Sequence, residues 1–194
     1  MHETEKQRGA ILLAPILILA LAAFVLIKSG AVSLDTENEM TAVCSREPGY
    51  MGAVTVYDPD GSPLYKWYSA SGLPLCARLS PDGEMLAVLC AGKGASAVHI
   101  FSLHSENELS CCELPDELFF TLGWMNGKRL CLLSEERAVS VDTEGRLLSE
   151  FDFDGRYLGD YYVEDGVTLK LMSSEYGGES ETLRLSGELR IRQK

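Results

Sequence analysis

The chain has 194 residues, 29 acidic against 17 basic side chains and a net charge of −12. A surface that acidic repels phosphate backbones and anionic lipid, which argues against nucleic acid as a partner. The length accommodates one ordinary domain with a sizeable core.

The N-terminal part is a different material from the rest. Ala10 to Ile27 carries no charge. As a helix rising about 1.5 Å per residue it spans roughly 27 Å, close to the hydrocarbon thickness of a bilayer. Pro15 lies one turn in, where proline is tolerated. Lys6 and Arg8 precede the run, and Lys28 follows it, with Asp35, Glu37 and Glu39 beyond. The excess of positive charge on the N-terminal side places that end in the cytoplasm. A cleaved signal peptide ending at Ser29-Gly30-Ala31 is the competing reading. The length of the run and its closing lysine favour an uncleaved anchor. The expected organisation is a cytoplasmic tail over 1–9, a transmembrane helix over 10–28, a linker over 29–40 and an extracytoplasmic domain over 41–194.

After the linker the chain reads as short strands and turns, with no helical period sustained over three turns. Strands are expected at 41–44, 53–57 and 64–68 in a first, incomplete group. A second group follows at 75–79, 85–90, 97–101 and 109–113, and a third at 119–124, 129–133, 138–141 and 147–151. A fourth runs through 157–163, 168–172, 182–185 and 188–191. Turn signals punctuate them in two interleaved series. Asp82-Gly83, Asn126-Gly127 and Asp165-Gly166 form one; Asp60-Gly61, Glu106-Asn107, Glu144-Gly145 and Ser186-Gly187 form the other. Asp-Gly and Asn-Gly between apolar runs mark hairpins whose turns need positive φ. Two hairpins per step of about forty to forty-five residues is the period of a β-propeller blade.

Particular residues carry a resemblance. Leu79-Ser80-Pro81-Asp82-Gly83-Glu84-Met85-Leu86-Ala87-Val88 resembles the inner hairpin of WD-repeat-like and TolB-like propellers. Val56-Tyr57-Asp58-Pro59-Asp60-Gly61 followed by Trp67 resembles the outer hairpin of quinoprotein-like propellers. A short tail, one membrane helix and an outer propeller is similar to an uncharacterised bacterial family of single-pass membrane-anchored propellers, a domain of unknown function. The resemblance implies an all-β fold, a partial β-propeller of about four blades of four-stranded antiparallel sheet, preceded by the N-terminal transmembrane helix. The Trp-Asp and Gly-His dipeptides of true WD repeats are absent, so the partners of that family are not implied.

The first group lacks its innermost strand, and propellers usually close with about four to eight blades. Three arrangements follow: a piece of a larger propeller, two chains completing one ring, or a strained four-bladed ring. The first, seen as an open arc, is favoured, and such an arc is expected to expose apolar edges.

The six cysteines fit no zinc or redox spacing. Cys44, Cys76, Cys90 and Cys131 fall in apolar strand runs and read as small buried hydrophobes, while adjacent Cys111 and Cys112 point to opposite faces of a strand. One disulfide is the alternative for an extracytoplasmic domain. Asp58 and Asp60, and the denser set Asp152, Asp154 and Asp160, read as turns rather than calcium loops, for want of a further acidic ligand. Gly92-Lys93-Gly94-Ala95-Ser96 lacks phosphate-loop spacing and reads as a hairpin tip. His99 and His104 with Cys111 or Cys112 assemble about three zinc donors where four are needed. Ser80 lies in a turn, not in a nucleophile elbow. The carboxylate pairs Asp116-Glu117 and Glu135-Glu136 read as solvated loop charges, and Trp67 and Trp124 as blade-packing residues. No catalytic, cofactor-binding or metal-binding residue is therefore assigned. The function read from the sequence is a non-catalytic binding or scaffolding module at the cell surface, with a basic or metal-bridged protein partner or self-association. The alternative is a piece of a propeller hydrolase or lyase whose catalytic blades lie elsewhere.

Overall fold

A computed structural model describes residues 39–163, 166–173 and 180–191. The expected tail, transmembrane helix and most of the linker lie outside the described residues, as does Asp165 of one expected turn. Among the described residues no helix is long and apolar enough to cross a membrane.

The described residues from Glu39 onward form one compact unit, with fourteen strands in four antiparallel sheets among them. Blade 1 holds β1 (Thr41–Ser45), β2 (Gly52–Tyr57) and β3 (Pro63–Ser69). Blade 2 holds β4 (Leu73–Leu79), β5 (Met85–Gly92), β6 (Ala95–Ser102) and β7 (Asn107–Leu114). Blade 3 holds β8 (Thr121–Asn126), β9 (Arg129–Leu133), β10 (Arg137–Asp142) and β11 (Leu147–Asp152). Blade 4 holds β12 (Tyr157–Val163), β13 (Val167–Met172) and β14 (Ser180–Leu185). Each blade is a meander, and consecutive blades touch through β1, β4, β8 and β12. The expected strand at 188–191 is reduced to one bridge, between Leu185 and Ile191. The first sheet has three strands, as expected of the incomplete first group, the next two have four, and the fourth has three where four are expected.

The repeat is visible in backbone chemistry. In the outer hairpins Asp58, Asp142 and Ser186 occupy one position. Each donates its N–H to the carbonyl four residues on, and accepts on its own carbonyl from the N–H three residues on. Their side-chain oxygens also accept from Ser62, Arg146 and Arg190 N–H groups. The fourth residue of the turn is left-handed in every blade: Gly61 at φ 81°, Glu106 at 55°, Gly145 at 79° and Leu189 at 53°. Only two of those four are glycine, so turn chemistry and not the glycine itself repeats. The inner Asn126-Gly127 turn departs from expectation, because Gly127 lies outside the left-handed region. There the Asn126 side chain makes the turn, accepting the Lys128 N–H at 2.9 Å.

Three apolar clusters hold the blades together, one at each junction. Val54, Val56, Val88 and Phe101 lie between blades 1 and 2. Leu89, Ile100, Leu130, Leu132 and Trp124 lie between blades 2 and 3. Leu133, Phe153, Leu169 and Leu185 lie between blades 3 and 4. Each such side chain contributes about 1.5–3 kcal/mol when fully buried. Trp124 packs as expected and satisfies its indole N–H on the Arg78 carbonyl at 3.0 Å. Among the described residues no such cluster joins blade 4 to blade 1.

The expected apolar edge is found in part on blade 4, where Tyr157, Tyr162 and Met172 stand exposed on the free face. The face of β13 turned away from blade 3 carries Thr168, Lys170 and Met172, beside Thr182 and Arg184 of β14 and Tyr157, Asp160 and Tyr162 of β12. The inner face carries Val167, Leu169 and Leu171 instead. Asp160, Lys170, Arg184 and the threonine hydroxyls interrupt these apolar side chains, so the free side is a mixed surface.

All six cysteines are free thiols. Cys76, Cys90 and Cys131 are buried as expected and Cys44 is half-buried. Of the adjacent pair Cys112 is buried and Cys111 exposed. Burial pushes Cys44 up to about 11 and Cys90 to about 12, so both stay protonated at neutral pH.

Candidate functional site

The segment between β7 and β8 decides the most distinctive surface. Within Leu118-Phe119-Phe120 the middle ring is 1% exposed while its neighbours are 55% and 42% exposed. Two backbone bonds enforce this alternation. Phe119 N–H donates to Ser96 Oγ at 2.9 Å, and Phe120 N–H donates to the Leu133 carbonyl at 3.0 Å. Phe119 is thereby pinned into the core between blades 2 and 3, and Leu118 and Phe120 are left facing out.

They line a depression of about 720 Å³ together with Leu75 of β4. Leu75 sits at an irregularity in the pairing of β4 with β5, which leaves it unpaired and outward. Four carboxylates stand around this apolar floor: Asp116 and Glu117 before it, Glu135 and Glu136 from the β9–β10 turn. The two carboxylate pairs read separately in the sequence are brought together here. Glu117 is held by Arg137, whose Nε donates at 2.6 Å and whose Nη1 reaches Glu150 at 3.0 Å. No lysine or arginine among the described residues pairs with Asp116, Glu135 or Glu136. Phe120 also meets the ring of Tyr161 at 6.3 Å, which extends the apolar surface onto blade 4. An apolar floor with an acidic margin binds cationic, apolar-anchored chains and repels anions.

The other residues singled out in the sequence fall as follows. Asp58 and Asp152 accept backbone N–H groups within their turns, at 2.7 and 2.6 Å. Lys93 and Gly94, at φ 54° and 79°, form the tip of the β5–β6 hairpin. Ser80 Oγ accepts the Met85 N–H at 2.9 Å and donates to Asp82 in the inner turn of blade 2. Its bond holds the Asp82 carboxyl below the usual range, helped by the Glu84 N–H. Trp67 packs between blades 1 and 2 against His99 and Phe101, at ring distances of 5.0 and 5.1 Å. His104 is exposed, and the histidine that meets a thiol is His99. Among the described residues the one group of three His, Cys, Asp or Glu donors within 4.8 Å is His99, Glu108 and Cys111. Sequence reasoning missed Glu108 because a bulge, invisible in the residue types, decides which way it points. It missed Leu118 and Phe120, the latter within the strand expected at 119–124, because their outward facing is set by the backbone partners of Phe119 and Phe120.

Neither a protein-family model nor a curated protein matches this chain. Solved structures do. Sqt1 from Chaetomium thermophilum is similar over 79% of this chain and 42% of its own, with TM-score 0.56 and 11% identity. The C-terminal WD40 domain of Sif2 is similar over 73% of this chain and 42% of its own, at 0.52 and 11%. The dihydro-heme d1 dehydrogenase NirN is similar over 83% and 35%, at 0.52 and 18%. The chain spans less than half the length of each. At these identities the likeness concerns the fold: the four sheets are blades of the β-propeller, WD40-like architecture.

Proposed function

We propose that this chain is a membrane-anchored, extracytoplasmic propeller-type module that binds a protein partner and performs no catalysis. The apolar run over 10–28 is its anchor, and the excess of Lys6 and Arg8 sets its orientation. The observation that carries the binding role is the depression between blades 2 and 3. Leu75, Leu118 and Phe120 stand exposed there inside a ring of four carboxylates. Exposed apolar side chains gathered at one place and rimmed by charge mark an interaction surface. The partner chemistry that fits is an extended polypeptide segment presenting lysine or arginine beside a leucine or aromatic anchor. The propeller-like architecture of the neighbours is compatible with such a role.

The test uses the full chain in detergent and fluorescent peptides in which lysines flank a leucine or phenylalanine. Basic, apolar-anchored peptides are expected to bind best and to weaken with added salt. Phe120→Asp, and the pair Glu135→Lys with Glu136→Lys, are expected to weaken them roughly tenfold or more. Equal binding of neutral peptides, or indifference to these substitutions, overturns the reading. The topology has its own measurement. A membrane-impermeant maleimide is expected to label the exposed Cys111 on intact cells washed with a chelator; labelling only after lysis contradicts an extracytoplasmic domain.

A further inference from the structure

We propose that His99, Glu108 and Cys111 form a binding site for a divalent transition-metal ion, with a nitrogen, oxygen and sulfur donor set suited to Zn²⁺. The site lies on the face of blade 2 that meets blade 1, away from the acidic depression.

The pairing of β6 with β7 builds it. His99 stands directly opposite Cys111, so their side chains share one face. Ile100 then pairs with Ser110 but Phe101 pairs with Glu108, which leaves Leu109 as the extra residue of a bulge. In an unbroken ladder Glu108 would point to the opposite face from Cys111. The bulge turns it to the same one, and Glu108 Oε1 meets His99 Nδ1 at 2.8 Å. All three donor atoms lie within 4.8 Å of one another.

Bulges recur at this place in blades 1 and 3, at Leu64 and Leu148, so the scaffold is common and only the side chains differ. The matching trio is Thr55, Pro63 and Lys66 in blade 1, and Val139, Leu147 and Glu150 in blade 3. Blade 2 alone of the three puts metal-ligating residue types at all three places. The His99 side chain is 14% exposed and is backed by Trp67 at 5.0 Å, which restricts its ring orientation; Glu108, at 42%, is free to adjust.

Bonds of about 2.0–2.3 Å in a tetrahedral zinc site put donors roughly 3.3–3.8 Å apart. Closing the trio therefore takes side-chain rotations that move the donor atoms of the exposed Glu108 and Cys111 by about an ångström. The fourth position faces outward and takes water or a donor from a bound partner.

Cobalt titration of the full chain, in detergent with a phosphine reductant, tests the site. We expect one equivalent of Co²⁺ to give a thiolate-to-cobalt charge-transfer band that Zn²⁺ removes. Cys111→Ser abolishes the band. His99→Gln and Glu108→Gln each raise the midpoint on the order of tenfold or more, since the loss of a supporting residue alone costs that much. Cys90→Ser and His104→Gln leave it unchanged, and far-ultraviolet circular dichroism confirms that every variant is folded. Absence of the band, or its survival in Cys111→Ser, overturns the proposal. A band that depends on Cys111 but ignores both His99→Gln and Glu108→Gln also overturns it, because it reports an isolated thiolate.

Discussion

β9 and β13 hold the same place in neighbouring blades and have opposite textures. In β9, Leu130, Cys131, Leu132 and Leu133 are all fully buried. In β13 burial alternates: Val167, Leu169 and Leu171 are buried, Lys170 and Met172 exposed, and Thr168 lies between. β9 has a blade on each side and β13 has one on a single side. Leu130 and Leu132 face blade 2, while Cys131 and Leu133 face blade 4. A strand of an antiparallel sheet buried on both faces reads as a continuous apolar run, and one solvated on a face reads as an alternation. The alternation in β13 therefore matches a strand with a packed blade on one side only, and its free side is a mixed surface.

The largest expected effect comes from the doubly buried strand. Leu132→Ala is expected to destabilise by about 2–5 kcal/mol, and Lys170→Ala at the exposed place in β13 by less than about 0.5. Chemical denaturation of the two variants measures the contrast; similar losses would remove the distinction between the faces. Next is the closeness of blades 3 and 4 at their inner edge. A Cβ on Gly123 would lie 2.8 Å from Val163 Cβ, so Gly123→Ala is expected to cost about 1–3 kcal/mol. Combining it with Val163→Ala should recover part of that loss.

A smaller effect is expected in acid. Burial pushes the Asp142 carboxyl up, but the Arg146 N–H and guanidinium and the Glu144 N–H outweigh it and hold it low. Bonding to Ser80 holds Asp82 low as well. A carboxylate depressed in the folded state contributes stability above its unfolded pKa of about 3.9 and loses it as pH falls through the folded value. Thermal melts should therefore fall steeply below about pH 4 and change little between pH 5 and 7 on this account, with a shallower acid limb in Asp142→Asn. The smallest effect is a gain. Glu106 holds a left-handed place that glycine fills in blades 1 and 3, so Glu106→Gly is expected to stabilise by about 0.5 kcal/mol. As a converse test of blade 4, Thr168→Val with Lys170→Leu and Arg184→Val should turn its outer face apolar and drive self-association, read by light scattering.

Strand positions and turn positions were legible residue by residue. Period-two runs such as Val54-Thr55-Val56 and turns such as Asp58 to Ser62 depend on local sterics and on hydrogen bonds within about four residues. The burial of Cys90 and Cys131, the split of Cys111 from Cys112 and the packing of Trp124 follow from the same alternation. The outermost strand of blade 4 was overread, since Glu188 to Ile191 has strand-like types but reaches its neighbour through a single bridge.

The candidate sites were much less legible. Asp116 and Glu136 converge because the β7–β8 and β9–β10 connections reach one rim of adjacent blades, a consequence of stacking that no short window contains. Glu108 joins His99 because one extra residue at Leu109 reverses the facing of everything after it. By itself the sequence determined where strands and turns lie, because those are decided by φ, ψ and side chains a few residues apart. The tertiary structure decided which charges share a surface and which donors share a face, because those depend on ladder register and on the packing of one blade against the next.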